Sequence, residues 1–262
     1  MPDDAVVSHR SAALLWGLWI ADFDGIEVTS PAGVRGSRYT TSVQRRAVVA
    51  HRRILAPHHV ISHLGLPVTT IARTWLDLAA LCDVHDLVAA GDSALRSGAA
   101  AGDLSDLVSG ARRLRGLVNA RAAVPILDAR SRSRPESRIR SAIVLAGLPR
   151  PEVNEAIRDE HHGWLAEPDL HYRDARLALE YNGAEHAELV RMRKDSTRLL
   201  DFQRAGWEVR TYTAAQAFSR LDDVVADVRG LLRRRAPQLL SSTALDRRVT
   251  YLNDQRRRNR RL

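Results

Sequence analysis

The sequence predicts a mixed α/β protein of the α+β kind, an α-β-β-β-α-β core with a mixed sheet preceded by a smaller α+β and helical domain. Three observations lead there. Short runs rich in Val, Ile, Leu and Tyr alternate with longer stretches of helical periodicity. Pro, Leu-Gly and Asn-Gly signals cut those runs. The polar basic stretch 129–134 (ARSRSR) reads as a linker, giving domains over 1–129 and 130–236 and a basic tail over 237–262.

In the first domain, residues 9–18 (HRSAALLWGL) read as a short amphipathic helix with Ser8 as its N-cap. Residues 26–30 read as a strand that Pro31 stops, 33–37 as a loop and 47–55 (AVVAHRRIL) as a second strand. Short strand candidates over 58–63 and 66–70 flank Leu64-Gly65. Helices are expected over 70–81 (TIARTWLDLAAL), 84–96, 105–113 and 117–127, with Pro125 kinking or shortening the last. Six histidines fall here; His58 and His59 are adjacent, His51 and His63 scattered, and the spacing is not that of a zinc site. They are expected at the surface or at an interface.

The second domain opens at Ser133-Arg134-Pro135-Glu136, where Pro135 suits the first helical position and Glu136 the positive helix N-terminus. This helix runs to Leu145 or Ala146 and stops at Gly147. Strands are expected over 153–157, 164–171 and 177–181, forming a meander. A helix over 188–205 ends at Gly206, a fourth strand covers 207–212 and a last helix 221–235. The crossover helix returns the fourth strand to the far side of the sheet in mixed pairing.

The run Leu177-Ala178-Leu179-Glu180-Tyr181-Asn182-Gly183 ends an apolar strand on a carboxylate, and Asp169 lies eleven residues upstream. Opposite residues of an antiparallel pair keep a constant index sum, so a hairpin with an even loop puts Asp169 and Glu180 on one face. A loop of Asp174-Ala175 sets them directly opposite; a loop of Arg173-Asp174 makes them diagonal neighbours roughly 7–8 Å apart. Either arrangement converges two carboxylates, as a hard divalent cation requires.

The chain of 262 residues has one cysteine, Cys82, which sits in a helical run as core and forms no internal disulfide; this suits a reducing, cytoplasmic setting. No apolar run reaches the length of a membrane-spanning helix, and an N-terminus carrying Asp3 and Asp4 is not a secretory signal. The net charge of +9 is concentrated after residue 228, where 11 Arg, among them Arg256, Arg257 and Arg258, face only Asp246 and Asp254. Such an end suits contact with a polyanion through counterion release. Lys194 is the only lysine.

The order of these elements, with acids at Glu136, Asp169 and Glu180, resembles the PD-(D/E)xK nuclease superfamily. The nearer likeness is to the branch related to very short patch repair endonucleases, domain of unknown function 559. Pro135-Glu136-Ser137, Pro168-Asp169, Glu180-Tyr181-Asn182-Gly183 with His186, Asp195 with Arg198, and Gly206-Trp207 with Val209 and Arg210 carry it over about residues 130–235. The resemblance implies a restriction-endonuclease-like core and a Mg²⁺ or Mn²⁺ held by Asp169, Glu180 and the Tyr181 carbonyl. It implies that Glu136 meets a second ion through water, and that His186, Lys194, Asp195 and Arg198 position phosphate or the leaving group. Asn182 departs from the pattern, standing where the superfamily has Lys and this branch Asp; an amide orients water but carries no charge.

The first domain resembles the core of type IV abortive-infection antitoxins and transcriptional regulators, without their winged helix. Ser8-His9-Arg10-Ser11-Ala12-Ala13 with Trp16-Gly17-Leu18, and the run Gly65 to Leu78 (GLPVTTIARTWLDL), carry that likeness. Two functions are expected in competition. One is a metal-dependent endonuclease hydrolysing DNA; the other is a non-catalytic nucleic-acid-binding or antitoxin-like protein on a degenerate nuclease fold.

Overall fold

The computed structural model describes residues 5–30, 48–158, 163–182 and 204–240. The chain divides into two compact units, residues 1–129 and 130–262, each mixing helices with a mixed sheet.

Unit 1 is built on a five-stranded sheet of order β3-β2-β1-β5-β4. Its strands are β1 (Val6–Val7), β2 (Ile26–Ser30), β3 (Val48–Arg52), β4 (Val60–His63) and β5 (Leu66–Thr69). β1 pairs antiparallel with β2 and parallel with β5, so the shortest strand holds the sheet together. β4 and β5 form a two-residue hairpin in which Leu64 and Gly65 both take positive φ, as a type I′ turn demands. β1 is too short to show a period in the sequence, and Pro57 starts a 3-10 turn (Pro57–His59) where a strand was expected.

The helices of unit 1 are α1 (His9–Leu15), α2 (Ile71–Leu78), α3 (Val84–Arg96), α4 (Ala101–Gly110) and α5 (Leu117–Ala123). Thr70 caps α2 by accepting from Arg73 N, and Asp83 caps α3 by accepting from Asp86 N. α4 begins earlier than expected, so that Leu104 and Val108, one turn apart, bury on one face. Pro125 cuts α5 short, and the chain continues as the 3-10 turn Val124–Ile126. Cys82 lies past the end of α2, half-buried rather than in the core, its thiol donating to Leu78 O.

A buried polar layer runs through this unit. The Glu27 carboxylate accepts from Arg10 N (2.7 Å), Nε (3.1 Å) and Nη2 (2.8 Å), and His51 Nε2 lies 3.4 Å away. Asp77 pairs with Arg73 and, at 3.6 Å, with Arg53. His9 is buried, not at the surface; its ring stacks on His51 at 3.5 Å, and burial lowers its pKa to about 4.

Unit 2 opens with α6 (Arg134–Leu145), capped by Ser133, whose hydroxyl accepts from Glu136 N. Gly147 at φ +79 ends it. A four-stranded sheet follows, of order β11-β10-β9-β6, with a separate antiparallel pair β7-β8. Its strands are β6 (Glu152–Val153), β7 (Ile157–Arg158), β8 (Trp164–Ala166), β9 (Leu170–Tyr172), β10 (Leu177–Asn182) and β11 (Glu208–Thr213). Two of the expected strands are each broken in two. Asn154 at φ +47 separates β6 from β7, and Pro168, which has no N–H for a ladder, lies between β8 and β9. β11 lies parallel to β10 at the edge away from β6. Of the expected helix 188–205, residues 188–203 lie outside the described residues.

The helices α7 (Ala214–Ser219), absent from the expected order, and α8 (Leu221–Arg235) complete unit 2. Leu170, Tyr172, Leu177 and Leu179 pack with Ile139 and Ile143 of α6 and with Val224, Val228 and Leu231 of α8. Ala178, on the alternate face of β10, packs with Ile157, Ala166 and Trp207. Arg138 of α6 donates from Nε to Ala217 O, tying α7 to α6. The tail read from Pro237 begins with a 3-10 turn, Pro237–Leu240, whose Leu239 and Leu240 pack against the core.

Gly116 is the sharpest packing constraint in unit 1. It takes φ +78, and a Cβ there would lie 1.8 Å from Ala79 O. Gly116→Ala lowers the unfolding free energy by roughly 2 kcal/mol or more, as strained or overpacked sites do. Gly102 in α4 has open space around its Cβ position, so Gly102→Ala is neutral or stabilising by up to about 1 kcal/mol. Urea unfolding of the two variants checks both signs.

Candidate functional site

The β9–β10 hairpin pairs Leu177 with Tyr172, Ala178 with His171 and Leu179 with Leu170. The ladder ends at that pair, and Asp169 and Glu180 are the next residue on each side of it. Leu177 and Leu179 bury on one face of β10 and Ala178 on the other, and Glu180 follows at the strand's end. Asp169 is tied at both ends: Tyr181 N donates to Oδ2 at 2.8 Å, and Asn154 N donates to its carbonyl at 3.0 Å.

Glu136 approaches from the first turn of α6. Its Oε2 accepts from Arg132 N (2.9 Å) and Asn154 Nδ2 (3.0 Å), and its Oε1 from the Ser133 hydroxyl (2.7 Å). Glu136, Asp169, Glu180 and Tyr181 line one small cavity of ≈ 10 Å³, walled also by Ile139, Leu170, Leu179 and Tyr212. That is about the room one water or small ion needs.

The electrostatics follow from this confinement. Burial raises the pKa of Asp169 from 3.8 to about 7, and the like charges of Glu136 and Glu180 push the same way. The Tyr181 N–H and the Arg132 guanidinium oppose the rise. Asp169 therefore stands near half-ionised at neutral pH.

The donor set of Asp169, Glu180 and the Tyr181 carbonyl is all oxygen, the chemistry that Mg²⁺ or Mn²⁺ takes. Yet among the described residues no group of three or more His, Cys, Asp or Glu is arranged to hold a metal ion. Both oxygens of Glu136 are engaged, by Arg132 N, the Ser133 hydroxyl and Asn154 Nδ2. Asp169 and Glu180 are left as a pair.

Asn182 ends β10, exposed, opposite Thr213 in the parallel ladder. His186, Lys194, Asp195, Arg198, Arg256, Arg257 and Arg258 lie outside the described residues. Two participants escaped sequence reasoning. Asn154 joins Glu136 to Asp169, and its left-handed backbone is one that Asn tolerates. Arg132, within the apparent linker, bonds Glu136 through its backbone and pairs with Glu167.

No family model matches this chain, and no solved structure matches it at a significant level. It is 32% identical over 211 residues, 80% of this chain and 74% of the relative, to an uncharacterized protein, MT2308, of Mycobacterium tuberculosis strain CDC 1551 / Oshkosh. The same figures hold for uncharacterized protein Rv2248 of Mycobacterium tuberculosis strain ATCC 25618 / H37Rv.

The raised pKa of Asp169 has a signature in stability. As pH rises from about 4 to about 7, the unfolded chain ionises this group while the folded chain keeps its proton. In metal-free buffer the contribution of Asp169 to stability thus falls across that window and levels off above it. Asp169→Asn removes this part of the slope, which urea midpoints at about pH 5 and about pH 8 read directly.

Proposed function

This chain belongs to the family of these two Mycobacterium tuberculosis proteins, and we propose that it is a Mg²⁺- or Mn²⁺-dependent endonuclease hydrolysing DNA phosphodiester bonds. In this reading, residues 130–236 are a PD-(D/E)xK, restriction-endonuclease-like domain akin to very short patch repair endonucleases. The single observation that carries it is the convergence of Glu136, Asp169 and Glu180, from a helix and two strands, on one small cavity.

Asp169, Glu180 and the Tyr181 carbonyl would hold the ion. A bound Mg²⁺ or Mn²⁺ supplies the charge that polarises a phosphate and lowers the pKa of an attacking water. Tyr181 N fixes Oδ2 of Asp169, which sets the direction of the carboxylate. Glu136 fastens the start of α6 against the cavity and adds negative charge that favours a cation. Asn182, at the exposed strand end, orients water through its amide and cannot act as a base. The Arg132 charge acts on Asp169 and its guanidinium pairs with Glu167; in this reading it would turn to a phosphate oxygen of the substrate. A setting in the cytoplasm fits a chain with one cysteine and, among the described residues, no helix long and apolar enough to cross a membrane.

A second reading is favoured by Asn182 and by the engaged oxygens of Glu136: a non-catalytic, antitoxin-like protein that binds nucleic acid on a degenerate site. Calorimetry separates the two, because that scaffold shows no Asp169-dependent affinity for Mg²⁺ or Mn²⁺.

Under the nuclease reading, Asp169→Ala and Glu180→Ala each abolish cleavage of DNA in Mn²⁺, and Asp169→Asn, which keeps an oxygen for the Tyr181 N–H, does so while the metal-free protein still melts cooperatively. Arg132→Ala lowers kcat/KM by roughly tenfold, the scale of one charged contact to phosphate. Asn182→Lys raises activity if a missing cation is the defect. Cleavage that persists in Asp169→Ala refutes the assignment.

The basic tail gives a separate expectation. Truncation after Leu240 keeps the packed turn and removes seven Arg against Asp246 and Asp254. The melting temperature stays unchanged, while DNA binding weakens and its dependence on salt flattens. An unaltered salt slope in the truncated protein counts against tail contact with DNA.

A further inference from the structure

Unit 1 carries an open groove of ≈ 900 Å³ that the nuclease reading does not use. His59 and Ile61 line it from the β4 side, Asp103, Asp106 and Leu107 from α4, and Trp16 lines it as well. Its size is at the upper end of ligand sites.

Three observations say what fits. β4 is a terminal strand of its sheet, so among the described residues its outer backbone groups have no ladder partner. Apolar side chains are bare along this hairpin, with Ile61 at 49% and Leu64 at 77% exposure. Asp103 and Asp106, three residues apart on α4, are both exposed and have no ion pair among the described residues. Burial and the neighbouring His58 lower the pKa of His59, so it adds no cation to the lining at neutral pH. Two unpaired carboxylates repel phosphate, so the groove is no continuation of a nucleic-acid surface.

We propose that this groove docks an extended peptide segment of a partner protein in which Arg or Lys alternates with apolar residues. The segment adds a strand to the β4 edge, sets its apolar side chains on Trp16, Ile61 and Leu107, and meets Asp103 and Asp106 with its cations. Backbone pairing supplies affinity that does not depend on sequence, and the alternation selects the partner.

The test uses the full chain and two fluorescent decapeptides, one of alternating Arg and Leu and one of alternating Glu and Leu, followed by anisotropy at low salt. The Arg peptide binds at least about tenfold tighter than the Glu peptide, as complementary charge at a rim predicts. The double variant Asp103→Asn with Asp106→Asn weakens the Arg peptide by roughly three- to tenfold, the scale of two exposed charge pairs. Ile61→Ser, at an exposed position, weakens both peptides. Equal binding of the two peptides, or a double variant that binds the Arg peptide like the parent chain, overturns the proposal. So does a dimer in sedimentation that Ile61→Ser dissociates, because a second copy is then the occupant.

Discussion

Like charges directly across an antiparallel pair destabilise a sheet. Asp169 and Glu180 each follow the last pair of the β9–β10 ladder, Leu179 with Leu170, and line one cavity walled largely by Ile139, Leu170, Leu179 and Tyr212. Much of unit 2 reads as accommodation of this repulsion. The Tyr181 N–H meets one Asp169 oxygen, and the Arg132 charge reaches the same group. Glu136 is spared most of the conflict because the first turn of a helix favours a carboxylate and the Arg132 N–H and the Ser133 hydroxyl satisfy it. The hairpin register cannot slip to relieve the pair. A shift of one residue would move Leu177 and Leu179 out of the core beneath α6 and α8.

Unit 1 solves an opposite problem. Its sheet buries Glu27, and the response is a bidentate Arg10 with His51 close by, rather than a shared proton. Asp77 is handled the same way by Arg73 and Arg53. Buried ion pairs of this sort add little net stability, but losing one partner strands a charge. The layer therefore specifies how α1 and α2 seat on the sheet more than it strengthens the unit. Burial keeps His9 neutral, which lets its ring stack on His51 without repulsion.

The legibility of the sequence divides along physical lines. α3 and α8 and the strand Ile26–Ser30 fall where periodicity and breakers set them, because each is long enough or sharply enough bounded to carry a pattern. The register of the hairpin, Leu177 with Tyr172 through Leu179 with Leu170, has the odd index sum that an even loop gives. Breaks forced by one residue were harder: Asn154 turns the chain inside an apparent strand, and Pro168 splits another. The helix α7 had a readable signal that passed unnoticed. Thr213 and Gln216 have capping-box spacing, and Gln216 Oε1 accepts from Thr213 N at 3.0 Å. No local pattern could show Arg132 acting on Asp169, since that contact depends on where the linker meets the strands.

The neutral residue at the end of β10 acquires a sense from this balance of charge. Under the proposed metal-binding reading, the raised pKa of Asp169 sets a proton and a cation in competition for one carboxylate, so ion affinity would depend on pH. A lysine at 182 would add a positive charge at the end of β10, whereas Asn182 adds none. Among the described residues, the backbone N–H of Tyr181 and the charge of Arg132 oppose the rise in the Asp169 pKa. If the proposed ion binds there, its binding would relieve the cost behind that rise, linking occupancy to fold stability through one carboxylate.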